Sequence, residues 1–221
     1  MNAKATPPYR KRIKDEIDYI ADTERVVLTG GKWLRFNQDY LDYLDAAIRD
    51  IEVEQVEDKF RVIRQKEGDF NASQEVADAG FEVADKNFEI FKTRSSTPVE
   101  AWDLRRDSTV YAVKFGTAQK LHYVCDQALN VLELLRNKAD TKQVESFDRY
   151  CLWFGYRVKQ LPDSLADTGS IILKQKVEAW ARKANELGVR PMVRLSQHVA
   201  EVDEARDGDA ASDPLADTNS S

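Results

Sequence analysis

Acidic residues and a lysine that could act on a phosphate group lie close together in the middle of the chain. Residues 96–121 read STPVEAWDLRRDSTVYAVKFGTAQKL, with Glu100 and Asp103 in one β-like run and Lys114 near the end of the next. Carboxylate oxygens are ligands that Mg²⁺ accepts, and the metal can polarise a phosphate and activate water. A nearby lysine could stabilise the charge that develops in the reaction. Two interpretations of this combination stay open: the residues hold a metal ion and a reacting phosphate for phosphodiester cleavage, or they are solvated charges at the edge of a sheet.

The candidate site extends to the preceding segment and to the following helix. Glu67 or Glu75 could supply a further carboxylate, and Gln127 could contact a phosphate. Mg²⁺ is therefore the cofactor that we expect of a catalytic protein. The predicted catalytic residues are Lys114, Glu100, Asp103 and Gln127, and the predicted metal ligands are Glu67, Glu100 and Asp103.

The register of the two strands decides which of these side chains can meet. If residues 105–108 form the turn, antiparallel pairing places Lys114 opposite Val99 or Glu100, depending on a shift of one residue. Glu100 would then lie close to Lys114. Alternation of side chains predicts two faces for the second strand. One face carries Val110, Ala112 and Lys114, and the other carries Tyr111, Val113 and Phe115.

Basic residues around these strands could contact the phosphates of DNA or RNA. The candidates are Arg94, Arg105, Arg106 and Lys120, with Arg136 and Lys138 further along the chain. The alternative is that these residues are scattered solvated charges. Binding through them should weaken with added salt, because phosphate contacts release counterions. The four tryptophans are predicted to pack in the interior.

Charge and composition limit the classes of protein to which the chain can belong. Hydrophobic residues make up 42% of the 221 residues, and no apolar run reaches the roughly 18 residues of a membrane span, so we expect a cytoplasmic protein with no membrane partner. The net charge of −6 equals that of residues 201–221, which hold seven acids and one arginine. The formally neutral remainder can still carry local basic patches. His122 and His198 are the only histidines, which argues against a His-rich zinc site.

Hydrophobic periodicity divides the chain into three predicted regions. Residues 1–60 should contain a helix over 9–22, a hairpin and a second helix, all packed on the core. Residues 61–200 should form an α/β core domain, and residues 201–221 a disordered acidic tail. The core elements are expected as helix 69–80, strands 81–91, 98–104 and 109–115, helix 116–139, strand 147–158, helix 167–188 and strand 190–199. This order predicts an α/β (α+β) fold with a mixed central sheet flanked by helices.

The order α-β-β-β-α-β is similar to the core of the restriction-endonuclease-like fold, whose members carry an acid on the second strand and a lysine on the third. The chain also resembles a sporadically distributed bacterial family of unassigned function, often found on mobile elements and in defence neighbourhoods. The resemblance covers roughly residues 25–200. Its pieces are GGKWLRFNQDYLDYLDAAI, Glu67 with Phe70-Asn71, Asp85-Lys86, Pro98 to Leu104, Tyr111 to Lys114 with Leu121, His122 and Gln127, and ADTGSIILKQKVEAW.

The resemblance implies that this chain corresponds to the C-terminal part of longer family members. It therefore implies a partner protein that supplies the missing N-terminal region, and a role in genome conflict, without an established reaction.

Three interpretations stay open at this point. The first is a metal-dependent nuclease or nuclease-like effector in a mobile-element or phage-defence context. The second is a non-catalytic subunit that binds nucleic acid or a partner protein, because Ala112 stands where active members of the nuclease fold usually carry an acid two residues before the lysine. The third is a simple ion pair between neighbouring strands of an unrelated fold.

Overall fold

The computed structural model describes residues 19–21, 24–29, 32–84, 101–136 and 146–199. Arg94 and Glu100 lie outside the described residues, as do Lys138, the predicted turn at Asp85-Lys86 and the predicted acidic tail.

The N-terminal part forms a three-stranded antiparallel sheet. Its strands are β1 (Tyr19–Ala21), β2 (Val26–Thr29) and β3 (Lys32–Arg35), in the order β1-β2-β3. The predicted hairpin is confirmed, since Val26 pairs with Arg35 and Thr29 pairs with Lys32. The predicted helix over 9–22 is wrong at its end, where residues 19–21 pair with β2. A Tyr-Ile run suits a strand when the edge of a hairpin is available to it.

Seven further strands and five helices build the rest of the described chain. The strands are β4 (Glu52–Glu54), β5 (Val62–Ile63), β6 (Glu82–Val83), β7 (Leu104–Arg106), β8 (Thr109–Gly116), β9 (Arg149–Tyr156) and β10 (Arg190–His198). The helices are α1 (Gln38–Arg49), α2 (Glu67–Asn71), α3 (Gln74–Asp78), α4 (Ala118–Arg136) and α5 (Ile171–Glu186).

The seven strands form one mixed sheet in the order β4-β10-β9-β8-β7-β6, with β5 also paired to β10. β4, β5, β9 and β10 run parallel to one another and β8 runs parallel to β9, whereas β6, β7 and β8 form an antiparallel meander. The predicted mixed sheet flanked by helices is confirmed. β4 lies within residues 1–60, yet it adds a strand to the sheet that residues 61–200 otherwise build.

Helices cover both faces of this sheet, and the alternation predicted for β8 is confirmed. Val110 and Ala112 pack with α4 and α5 in one core. Tyr111, Val113 and Phe115 pack in a second core against the α2–α3 region. The strands β8 to β10 can be nearly continuous in apolar residues because both of their faces are covered.

Three of the four tryptophans are buried, as predicted, and the fourth is not. Trp102, Trp153 and Trp180 lie in the two cores. Trp33, on β3, is 58% exposed, so its predicted packing is wrong. β3 is the edge strand of a small sheet, and all four of its side chains are exposed.

The predicted helix over 69–80 is two short helices, α2 and α3. Ser73 divides them, because its hydroxyl accepts a hydrogen bond from the Val76 N–H and so begins α3. Serine favours this capping position over a helix interior. Gly80, with φ of +79°, ends the pair.

The turn between β7 and β8 is shorter than predicted. Leu104 pairs with Tyr111 and Arg106 with Thr109, so the loop is Asp107-Ser108 and both arginines belong to the strand. Asp107 takes a positive φ of 53°, which aspartate tolerates in a two-residue hairpin loop. The predicted register, which required a turn over residues 105–108, is therefore wrong, and Lys114 lies beyond the residues of β8 that pair with β7. Val99 and Glu100, its predicted partners, lie outside the described residues.

Candidate functional site

A small pocket of about 90 Å³ lies beside β8, next to the point where β7 begins. It is lined by Glu67, Asp103, Lys114 and Gln127, with walls that include Trp102, Ala112, Val124 and Tyr150. The four polar residues come from α2, the segment before β7, β8 and α4. The structure thus brings together four of the predicted site residues. They are called the acid–lysine pocket below.

The difference in length between β7 and β8 explains why carboxylates gather here. β8 extends beyond the residues that pair with β7, and the backbone N–H groups of Val113 and Phe115 need other acceptors. Asp103 Oδ2 accepts the Val113 N–H at 2.7 Å, and Glu67 Oε2 accepts the Phe115 N–H at 2.8 Å. Both carboxylates are therefore fixed against the part of β8 that β7 does not cover.

Glu67, on α2, also holds the side chain of Lys114. Its Nζ lies 2.8 Å from Glu67 Oε1, and about a third of each side chain is exposed. Glu67 therefore uses one oxygen for the backbone of β8 and the other for the ammonium group. Lysine has three N–H donors, so the ammonium can contact a further acceptor in the pocket.

Buried contacts fix the segment that carries Asp103. The Tyr150 hydroxyl donates to the Ala101 carbonyl oxygen at 2.7 Å, and the Asp103 N–H donates to the Tyr111 carbonyl oxygen at 2.9 Å. Trp102 packs against Phe147 with ring centroids 5.2 Å apart. Burial raises the pKa of Tyr150, and the nearby charge of Asp103 raises it further, so the hydroxyl stays a donor.

The carboxylates that line the pocket are those of Glu67 and Asp103. Glu75, the alternative to Glu67, is not in the pocket; its carbonyl oxygen accepts a hydrogen bond from Lys59. Within the described ranges, no group of three or more His, Cys, Asp or Glu side chains is arranged to hold a metal ion. Two carboxylates nevertheless match the usual needs of Mg²⁺, which keeps several waters and takes further oxygens from a substrate phosphate.

Two of the predicted phosphate-binding arginines lie away from the pocket. Arg106 donates to Glu54 at 2.6 Å and to Glu57 at 2.8 Å. Arg105 donates to the carbonyl oxygens of Asp107 and Ser146. Both belong to the β7–β8 hairpin, and the residue opposite Arg105 is four positions, about 13 Å, along β8 from Lys114.

The sheet collects at one edge a set of basic residues, of which only Lys120 was predicted from the sequence. Because β5, β8, β9 and β10 run in the same direction, the residues that follow them meet at the carboxyl edge of the sheet. These residues, together called the basic edge, are Arg64, Lys66, Lys120, Arg157 and Lys159, and all are exposed. Ligands commonly bind at this edge of α/β sheets.

None of the five basic-edge residues forms an ion pair with another described residue. Arg64 and Lys66 flank Gln65 directly after β5, and Lys120 lies in the first turn of α4. The edge thus carries a local excess of positive charge on a chain whose net charge is −6. A positive surface of this kind attracts polyanions. The basic edge could be found from the sequence only if the parallel pairing of these strands were known.

His198 lies beside the pocket at the end of β10 and is 7% exposed. Its Nε2 is 3.2 Å from the Gln65 carbonyl oxygen, and its ring centroid is 5.0 Å from that of Phe115. Burial lowers the pKa of His198, and the charge of Arg157 lowers it further, while the Gln65 carbonyl and Glu67 oppose this shift.

This shift predicts that acid destabilises the protein through His198. The unfolded chain takes up the proton near the ordinary pKa of 6.5, above the folded value, so stability is fully present above that pH and falls as the pH drops below it. Urea unfolding between pH 7.5 and 5 should show less loss of stability in His198→Gln than in the wild type. Equal losses in the two proteins would contradict the prediction.

The fold and the pocket define an α/β protein whose mixed sheet carries an acid–lysine pocket beside a basic edge. The chain belongs to DUF6119, a family of unknown function, whose model matches residues 2–147. This membership agrees with the predicted family of unassigned function. The match ends before β9, so β9, α5 and β10 lie beyond it. No curated protein and no solved structure matches the chain.

In the part of the chain that the structure describes, no helix combines the length and the apolar character needed to cross a membrane.

Proposed function

We propose that the chain is a Mg²⁺-dependent nuclease that cleaves phosphodiester bonds at the acid–lysine pocket. The observation that carries this proposal is the convergence of Lys114, Glu67 and Asp103, from three separate segments, on one solvent-reachable pocket. The basic edge supports a polyanionic substrate, because its five cations have no ion-pair partners among the described residues.

The residues present suit Mg²⁺. Glu67 and Asp103 would hold the ion together with oxygens of the substrate and water. When bound there, the ion would polarise the phosphate and lower the pKa of an attacking water.

The side chains of the pocket have separate roles in this proposal. Lys114 donates a hydrogen bond to a phosphate oxygen and offsets the charge that develops in the transition state. Glu67 holds the Lys114 ammonium in position through its Oε1 atom. The Gln127 amide orients the substrate by a contact to a neighbouring phosphate. The hydrogen bonds from Val113 and Phe115 keep both carboxylates from turning away.

The order of elements supports a restriction-endonuclease-like core. α2 and α3 precede the meander β6-β7-β8, and α4 then crosses to β9, which is parallel to β8. Asp103 directly precedes the second strand of that meander, and Lys114 lies on the third. In this proposal Glu67 supplies from α2 the carboxylate that Ala112 does not provide.

Cleavage assays test the proposal directly. The purified chain should nick plasmid DNA or degrade RNA with Mg²⁺ or Mn²⁺, and chelation should stop the reaction. Lys114→Met should lower the rate at least about tenfold, because a positioned cation that stabilises the transition state is lost. Lys183→Met is the matched control, since it removes an ion-paired lysine from α5, outside both the pocket and the basic edge.

Three results would count against a nuclease. They are cleavage that persists in Lys114→Met, equal losses in the two lysine variants, and no cleavage of any nucleic acid by a folded protein. Unfolding temperatures of both variants should match the wild type, which separates loss of chemistry from loss of fold.

A second candidate is a non-catalytic subunit that binds nucleic acid or a partner protein. The Glu67–Lys114 ion pair favours it, because the carboxylate neutralises the lysine charge within the pocket. Binding that falls steeply with added salt, without turnover, supports this candidate. Both proposals include a role in defence against phage. Phage plating on cells that express the wild type or Lys114→Met compares their protection against phage, and so distinguishes a catalytic role from a binding role.

A further inference from the structure

One face of α4 carries an exposed stripe of side chains beside the acid–lysine pocket. It consists of Lys120, Tyr123, Gln127 and Asn130, which share a helix face because they are three or four residues apart. Gln127 also lines the pocket. The opposite face of α4 is buried in the core. The stripe is therefore a solvent-facing surface that borders the candidate site at Gln127.

Tyr123 stands out in this stripe because its side chain is 60% exposed, and no other large apolar side chain of α4 is exposed. The His122 ring packs beside it, with ring centroids 4.3 Å apart and an angle of 37° between the ring planes. His122 itself is partly buried. The contact restrains the tyrosine ring while most of its surface stays in water.

The stripe connects the basic edge to the pocket. Tyr123 lies one helical turn, about 6 Å along the axis, from Gln127. Lys120 lies a further turn towards the carboxyl edge of the sheet. Its side chain lies across Gly116, where an added Cβ would come within 2.8 Å of the Lys120 Cβ. The glycine at the end of β8 thus lets the stem of Lys120 pack directly over the strand end.

We propose that this stripe binds single-stranded nucleic acid, with one base stacked on Tyr123 and the adjoining phosphates on Lys120 and the basic edge. The strand then passes Gln127 into the acid–lysine pocket. This inference names the substrate class of the proposed nuclease, and it rests on that function only for the cleavage step. A single strand is required because duplex bases present no free face to an aromatic side chain, whereas bases of single strands stack readily on tyrosine.

Binding without turnover tests the inference separately from the nuclease. The probe is a fluorescent twelve-nucleotide single strand with a mixed sequence, measured in EDTA by anisotropy. Tyr123→Leu should raise its Kd about tenfold, since stacking of one base contributes about 1–3 kcal/mol. Tyr123→Phe, which keeps the ring, should bind as the wild type does. The matched control is Tyr43→Leu, which removes an exposed tyrosine from α1.

Charge, strandedness and base stacking give three further readouts. Lys120→Ala should reduce the slope of log Kd against log salt by about 0.7 for each phosphate that the lysine would otherwise neutralise. A duplex with the same sequence should bind with an affinity that does not depend on Tyr123. The fluorescence of 2-aminopurine placed along the strand should be quenched by the wild type and Tyr123→Phe, and not by Tyr123→Leu.

The outcomes separate this inference from the proposed nuclease. If Tyr123→Leu binds the single strand as tightly as the wild type, or weakens duplex binding equally, the stacking site is wrong even where cleavage is observed. If binding depends on Tyr123 and no metal-dependent cleavage occurs, the proposed binding surface is supported and the proposed nuclease activity is contradicted. If the unfolding temperatures of the Tyr123 variants match that of the wild type, any loss of affinity results from the changed α4 surface and not from a loss of fold.

Discussion

Replacing Arg194 with alanine should lower the free energy of unfolding by about 3–5 kcal/mol, because the change removes a fully buried charge and leaves two partly buried carboxylates with one partner fewer. Arg194 lies on β10 and is fully buried. Its guanidinium contacts Glu57 and lies 3.1 Å from Glu54 Oε1. Urea unfolding of the wild type and the variant measures the difference.

The surroundings of Arg194 explain why the cost is large. Arg106 binds the same two carboxylates, so the network joins β4 and the segment after it to β7 and β10 across the sheet. The Arg194 Cζ also lies 4.1 Å from the centre of the Trp153 ring, a cation–π contact. Burial lowers the pKa of Arg194, while the Glu54 carboxylate raises it and favours the charged form. Alanine would remove the charge, the ring contact and the filled volume together.

A surface arginine provides the matched control. Arg182, on α5, pairs with Glu178 at 3.1 Å, but its side chain is 61% exposed. Arg182→Ala should therefore cost less than about 1 kcal/mol. Similar losses for Arg182→Ala and Arg194→Ala would show that the buried network contributes nothing beyond an exposed ion pair. Arg194→Met, which refills the volume, should fall between the wild type and alanine.

Local patterns in the sequence were sufficient to predict most strands of the mixed sheet, though not β4 and β5, and part of the pocket. Alternation in β8 separates Lys114 from Tyr111 and Val113, and helical spacing of apolar residues identifies α4 and α5. Asp103, Lys114 and Gln127 could be proposed together because they lie on consecutive elements, and consecutive elements usually neighbour one another in space.

Features that depend on distant pairing could not be predicted in this way. The basic edge depends on the parallel pairing of β5 with β10, which lies about 130 residues later in the chain. The sequence of neither strand indicates that the two pair in parallel. Arg194 lies in an apolar run that predicts a strand, and nothing in that run indicates that Glu54 and Glu57 meet it. The register of β7 and β8 was missed because Asp107 adopts a positive φ that shortens the loop to two residues.

The carboxylate of Asp103 has two tasks, and two substitutions should separate them. Asp103→Asn keeps an amide oxygen that can accept the Val113 N–H, so the fold should be retained, while the negative charge at the metal position is lost. If the proposed nuclease is correct, this variant should lose about 100-fold or more in cleavage rate, because a bound metal contributes several kcal/mol to transition-state stabilisation and about 2.7 kcal/mol is 100-fold.

Asp103→Ala should lose activity to a similar extent and also lose stability. It leaves the Val113 N–H, which is 2.7 Å from Asp103 Oδ2 in the wild type, without that acceptor, and an unsatisfied buried donor costs about 1–3 kcal/mol. Metal-dependent cleavage and urea unfolding, measured on both variants, therefore give two independent readouts. If asparagine restores stability and full cleavage, Asp103 acts only as an acceptor for the backbone of β8, and the proposed role of its carboxylate in holding the metal is wrong. If asparagine restores stability alone, the same carboxylate both completes the strand and serves the reaction, which explains why an acid follows Trp102 where an amide would have satisfied the backbone.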